Sequence, residues 1–237
     1  MRILLLGYGK MGKTIESLAL KAGHTIVGKI DEANKTHLSN YTKAEVDVAI
    51  EFSQPNAAFE NIYYCLHSGI PVVSGTTGWL KKKEKLDKIC LEKGGAFFYA
   101  SNFSIGVNLF FELNRKLAHL MNNHRQYEVN MEEIHHTEKK DEPSGTAITL
   151  AEGIIEENQA VKSWTLGEGK ADQLPILSKR EGKVPGTHIV NYQSAVDSIE
   201  IKHTAHSREG FGSGALKVAE WIVDKKGVHG MEDFLKS

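Results

Sequence analysis

Two segments of this chain hold residue types whose spacing can do chemistry. The first is Gly7-Tyr8-Gly9-Lys10-Met11-Gly12, a G-x-G-x-x-G between a short apolar run and a stretch of helical periodicity. In that context Gly7 allows a tight turn, Gly9 lets a pyrophosphate approach the backbone, and Gly12 permits close helix–sheet packing. The N–H groups at the helix start, including those around Lys10 and Met11, hold the phosphates. Asp31 follows 19 residues beyond Gly12, at the end of the next apolar run. An acid there accepts hydrogen bonds from the ribose hydroxyls of an adenine dinucleotide. Asp31 repels a 2′-phosphate and favours NADH, while Lys29 and Lys35 lie close enough in sequence to soften that preference.

The second segment is Glu132-Glu133-Ile134-His135-His136-Thr137-Glu138-Lys139-Lys140-Asp141-Glu142-Pro143-Ser144-Gly145-Thr146-Ala147. Adjacent histidines and two lysines gather titratable donors before a Pro-Ser-Gly-Thr turn that opens a helix. Gly145 and Thr146 can then present N–H groups to an anion such as a carboxylate. Lys139 can deliver a charge or a proton beside that anion, and a histidine can exchange protons near neutral pH. A metal reading of Glu133, His135, His136 and Glu138 is disfavoured, because neighbours on an extended chain point to opposite faces and no cysteine or distant histidine pair supports them. The alternative to a site is a charged loop ending in an ordinary helix cap, with Ser144 as N-cap and the lysines solvated.

These residues need a scaffold, and the hydrophobic periodicity supplies one. Arg2–Leu6 reads as a buried strand, Lys13–Ala22 as a helix stopped by Gly23, and Thr25–Ile30 as a second strand. Strand and helix keep alternating: 46–52 strand, 56–68 helix, a strand leading to Gly75-Thr76-Thr77-Gly78, 80–93 helix, and 96–100 strand. Repetition of that kind implies an α/β fold with a Rossmann-type parallel sheet covered on both faces. Near residue 103 the texture changes. A long amphipathic helix over 107–121, a strand over 128–134 and a helix over 146–157 precede period-2 stretches between 182 and 207, which imply a second α+β domain with an open mixed sheet. Residues 1–103 are thus expected to bind the dinucleotide and 104–212 the substrate, with 213–237 returning to the first domain.

The 237 residues are 41% hydrophobic and 25% charged, with 29 Lys plus Arg against 30 Asp plus Glu. That composition suits a globular protein with a core, and its balance leaves no basic footprint for nucleic acid. Two isolated cysteines suit a reducing compartment, the run Ile3–Leu6 is too short for a signal-peptide core, and no apolar stretch approaches a membrane span. A cytoplasmic protein without nucleic-acid or membrane partners is expected.

Together the two segments resemble the 4-hydroxy-tetrahydrodipicolinate reductase family, also called dihydrodipicolinate reductases, of diaminopimelate and lysine biosynthesis. The resemblance spans nearly the whole chain. It rests on Gly7–Gly12, Gly75-Thr76-Thr77-Gly78, Ala100-Ser101-Asn102-Phe103-Ser104 and, above all, His135–Ala147. It implies an oxidoreductase using NADH, NADPH or both on a cyclic dicarboxylate. By similarity His135 is a proton donor or acceptor, Lys139 the catalytic proton donor, and His136, Gly145 and Thr146 the substrate contacts. Gly75, Thr76 and Thr77 with Ala100, Ser101, Asn102 and Phe103 would line the nicotinamide end of the cofactor site. A homotetramer assembled through the second-domain sheets is implied too. Arg208 reads equally as a further anion or hinge position and as a surface arginine. The glycine turn is one residue shorter than is common in the family, Glu142 stands where alanine is usual, and the segment from Asp31 to Val46 is short. Other readings of the same cofactor half are a different two-domain dehydrogenase and a non-enzymatic dinucleotide sensor, the latter having no need of Lys139.

Overall fold

The computed structural model describes residues 1–207 and 209–237, so Arg208 lies outside the described residues. Met1–Ile105 with Glu209–Ser237 form one compact unit, and the stretch between them forms a second.

In the first unit β1 (Arg2–Leu6), α1 (Lys10–Lys21), β2 (Thr25–Ile30), β3 (Val48–Glu51), α2 (Pro55–His67), β4 (Val72–Ser74), α3 (Lys83–Lys93) and β5 (Ala96–Tyr99) follow in order. The apolar runs form strands buried on both faces because successive side chains point opposite ways. Ile3, Leu5, Val48, Ile50, Val73 and Phe98 enter one hydrophobic layer, whereas Leu4, Leu6, Ala49, Val72 and Phe97 enter the other. Ile15 and Ala19 of α1 pack on the first layer, and Ala58, Ile62 and Cys65 of α2 on the second. The first helix starts at Lys10 rather than at the expected Lys13, because Gly9 is extended (φ −81°, ψ −155°) and acts as its N-cap.

The second unit contains α4 (Ile105–Met121), β6 (Glu128–His135), α5 (Gly145–Glu157), β7 (Ser163–Leu166), β8 (Gln173–Arg180), β9 (Gly186–Gln193) and β10 (Ser198–Ala205). Its sheet has the order β10-β9-β6-β8-β7, with β6 antiparallel to β9 and parallel to β8. One face is covered by α4 and α5, whose Phe110, Ala118, Leu150 and Ile154 pack on Met131, Ile176, Val190 and Tyr192. The sequence periodicity did not reveal β7 and β8. One is four residues long, and the other carries Pro175 at a position opposite Thr165.

The chain then returns with α6 (Glu209–Ile222), β11 (Gly227–His229) and α7 (Met231–Leu235). α6 approaches Phe103 so closely that a Cβ on Gly214 would lie 1.8 Å from the Phe103 carbonyl oxygen. β11 pairs with β5 and completes a parallel sheet of order β11-β5-β4-β3-β1-β2. The winding reverses between β1 and β3, the position at which open parallel sheets leave a crevice at their carboxyl ends. Among the described residues no helix is long and apolar enough to cross a membrane.

Candidate active site

The crevice of the first unit is a cleft of about 800 Å³ whose lining includes Gly7, Gly9, Lys10, Met11, Asp31 and Phe52. Gly7 has φ +95°, and a Cβ there would meet the Phe52 carbonyl oxygen at 2.1 Å. Both the left-handed conformation and the close approach demand glycine. A Cβ on Gly12 would lie 2.3 Å from the Gly7 carbonyl oxygen, whereas one on Gly9 meets nothing within 4 Å. Gly9 thus leaves open backbone at a helix start that no side chain caps, the arrangement that receives a phosphate. Asp31 is exposed just beyond β2 and accepts a hydrogen bond from Ala33 N at 2.9 Å through one oxygen. Lys29 Nζ lies 2.6 Å from Glu16, and Lys35 Nζ lies 2.8 Å from Glu32. The two lysines expected to soften the acid's preference are therefore both paired with carboxylates.

Gly75, Thr76 and Thr77 follow β4, apart from that lining but tied to it through Glu51. This fully buried carboxylate, which closes β3, accepts from Ser74 Oγ at 2.6 Å, Thr76 Oγ1 at 3.0 Å and Ser53 N at 3.1 Å, and also from the Ser53 hydroxyl. It binds the loops after β3 and β4 together. A Cβ on Gly75 would collide with the Phe52 ring at 2.1 Å. That ring packs on Phe103 at 5.4 Å between centroids. Ala100 and Phe103 are themselves buried in the core, while Ser101 is exposed and Asn102 half-buried. The sequence motifs did not point to Glu51 or Ser53. Their role depends on β3 lying beside β4.

In the second unit, strand register lines up a polar row on the inner face of the sheet. Glu133 of β6 stands opposite Ser178 of β8 and His188 of β9, and His188 stands opposite His203 of β10. The start of α5 docks on this row. Ser144 N donates to both oxygens of the fully buried Glu133 at 3.1 Å, and Ser144 Oγ lies 3.1 Å from His188 Nε2 while accepting from Ala147 N. Ser178 Oγ donates to the same carboxylate at 2.6 Å. The helix's own capping and hydrogen bonding begin at Ala147 and Ile148. The N–H groups of the exposed Gly145 and half-buried Thr146 therefore point out of its end, as an anion site requires.

His135, buried two residues beyond Glu133, places Nδ1 3.5 Å from the Glu133 carboxylate. Burial pushes its pKa down, and the charges of Lys139 and Arg180 push the same way against Glu133, so the imidazole is neutral at pH 7. Burial opposes the charge of Glu133 too, but the donors from Ser144 and Ser178 outweigh it and hold the carboxyl below its usual value. His136 is half-buried on the neighbouring position. Lys139 Nζ pairs with the Asp141 carboxylate at 2.6 and 2.7 Å, which lowers the Asp141 pKa.

A distant histidine does join this group, contrary to the sequence reading. Glu133, His135 and His188 offer ligand atoms within 4.8 Å of one another. Glu133 is nonetheless already occupied, since it accepts from Ser144 N and Ser178 Oγ with Arg180 Nη1 3.4 Å away, and a carboxylate so engaged is poorly disposed to hold a cation. Sequence reasoning missed Arg180, Ser178 and the role of His188, all more than 40 residues from Glu133 and placed by register alone.

The chain matches family models along almost its whole length. Residues 1–103 match the N-terminal and residues 106–235 the C-terminal model of dihydrodipicolinate reductase. The 4-hydroxy-tetrahydrodipicolinate reductase of Christiangramia forsetii is 54% identical over 99% of this chain and 98% of that protein. The protein of that name from Clostridium novyi is 36% identical over 97% of this chain and 95% of its own length. A dipicolinate-bound dihydrodipicolinate reductase from Paenisporosarcina sp. TG-14 shares the fold with a TM-score of 0.76 over 97% of both chains at 22% identity. A putative myo-inositol dehydrogenase from Sinorhizobium meliloti 1021 is a more remote likeness of fold, at TM-score 0.57 and 11% identity over 95% of this chain and 89% of that one.

Burial, with the charge of His135 adding to it and that of Glu133 opposing, pushes the His188 pKa down to about 4 from 6.5. On acidification the unfolded chain takes up this proton first. The stability it carries is fully present above about pH 6.5 and is lost progressively toward about pH 4, up to about 3 kcal/mol. Urea unfolding of wild type and His188→Gln across this window is expected to show a steeper loss of stability in wild type. Equal slopes would remove His188 as the source.

Proposed function

Because the chain belongs to the dihydrodipicolinate reductase family, we propose that it reduces 4-hydroxy-tetrahydrodipicolinate to tetrahydrodipicolinate, with the site residues in the following roles. The observation that carries the assignment of roles is the α5 start, where outward N–H groups, a paired ammonium and a buried neutral histidine belong to one short segment. The glycine turn, the uncapped start of α1 and Asp31 fit a dinucleotide. A reduced nicotinamide held there supplies the hydride.

The substrate's carboxylates are bound by the N–H groups of Gly145 and Thr146, with His136 and the positive charge of Lys139 beside them. After the 4-hydroxyl is lost as water, hydride addition at a ring carbon sends electrons into the conjugated system next to the nitrogen. Lys139 donates the proton that completes the reduction. A neutral His135 is a poorer acid than the lysine ammonium and serves to shape and polarise the pocket beside it. Gly75–Thr77 and Ala100–Phe103, set by the Glu51 and Phe52 contacts, bound the nicotinamide end. The unpaired charge of Asp31, against lysines already matched by Glu16 and Glu32, favours NADH over NADPH.

Among the described residues, no helix covers the other face of the second-unit sheet. Leu177 is 48% exposed there, in a row with Glu132 and Ile189. This face assembles a cytoplasmic homotetramer. Light scattering is expected to give four chains per particle for wild type and fewer for Leu177→Glu; an unchanged mass for both would exclude the face.

With substrate generated in place from pyruvate and aspartate semialdehyde by the synthase that makes it, wild type is expected to oxidise reduced nicotinamide. Lys139→Ala is expected to lower kcat by at least about 100-fold, the contribution of a positioned acid. Near-normal turnover in that variant would refute the role and point to a sensor if cofactor still binds. In the same assay Asp31→Ala is expected to weaken NADH more than NADPH. Equal losses would show that Asp31 does not select the cofactor.

A further inference from the structure

The loop from Thr137 to Pro143 carries Lys139 but has no regular secondary structure. An amine at the end of four rotatable methylenes, on a segment of that kind, is held in place only if the backbone beneath it is anchored. The anchor lies 41 residues later, on Arg180, which closes β8 opposite His135.

Each nitrogen of the Arg180 guanidinium is engaged. Nε donates to the Lys139 carbonyl at 3.3 Å and Nη2 to the Asp141 carbonyl at 2.7 Å. Nη1 donates to Ser178 Oγ at 2.8 Å and to the Lys179 carbonyl at 3.0 Å. Nη1 and Nη2 lie 3.4 and 3.5 Å from the buried Glu133 oxygen. Two of these bonds grip the backbone on either side of Lys140, in the stretch where the Lys139 ammonium meets the Asp141 carboxylate. The others run to Ser178, to the Lys179 carbonyl and to the buried acid that accepts from the N–H of Ser144, the N-cap of α5. The side chain is only 19% exposed. The planar, five-donor fork is what allows one group to serve both; a lysine ammonium has the charge but not the span.

We propose that Arg180 is a positioning residue for the proton transfer: it clamps the 139–141 backbone to Glu133 and so sets the Lys139 ammonium relative to the α5 start. Arg180 touches backbone, Ser178 and Glu133 rather than the reacting groups, and it acts through Lys139. This inference rests on the proposed role of Lys139.

The test is steady-state kinetics on full-length wild type, Arg180→Lys, Arg180→Ala, Lys139→Ala and the double variants. Arg180→Lys is expected to lower kcat about 10- to 100-fold, as a misplaced catalytic group does. Cofactor affinity, measured by titration of nicotinamide fluorescence, is expected to stay unchanged. Added guanidinium ion is expected to restore part of the turnover of Arg180→Ala, whereas equal sodium chloride does not. In the Lys139→Ala background the Arg180 substitutions are expected to cost nothing further. A purely structural role for Arg180 would instead multiply the two losses, and that result would overturn the proposal. So would wild-type kcat in Arg180→Lys while Lys139→Ala is slow. Normal turnover in Lys139→Ala would remove the reading on which the proposal rests, an outcome separable from the other two.

Discussion

A carboxylate with no exposure to water is tolerable only where donors replace the solvent it has lost, and Glu133 imposes that condition on the whole second unit. Four elements converge on it. β8 supplies Ser178 and Arg180, β9 places His188 alongside, β6 carries the acid itself, and α5 contributes the Ser144 N–H. Removing one partner from such a group typically costs about 3–5 kcal/mol, so strand register and helix placement are held by the same charge. A slip of one residue in β8 would turn Ser178 and Arg180 to the other face.

The first unit uses the same device at smaller scale. Glu51, also fully buried, draws its donors from the last residue of β4 and from residues just beyond β3 and β4. In each unit a buried acid at or near a strand end turns otherwise irregular loops into fixed walls. Asp31 works differently. It stays exposed and, among the described residues, accepts only a local backbone N–H, from Ala33. Burial thus separates the acids that organise loops from one that stays at the surface.

Burial also assigns the protons. His135 and His188 lie too deep to charge readily, which leaves them neutral around a carboxylate that stays ionised. Lys139, on the loop after β6, pairs instead with the Asp141 carboxylate at 2.6 Å.

Features governed by neighbours within a few residues were legible in the chain. The glycine turn with its conformational demands, the alternation that sends Leu4 and Leu5 to opposite layers, the Ser144 cap and the cluster from His135 to Thr146 all follow from local geometry and period. Helix ends moved by two or three residues, since Gly9 and the residues before Val107 are decided by where the chain arrives from, not by periodicity. The partners of Glu133 and Glu51 were not legible. Arg180, Ser178, His188 and Ser74 belong to strands that sequence places 23 to 55 residues away, and only hydrogen-bonded register decides which side chains face one another across a sheet. The types of residue available for the chemistry were therefore set by the sequence itself. Which of them became buried acids, neutral imidazoles or backbone clamps was decided by the tertiary structure, because charge in a protein takes its meaning from the groups that replace its water.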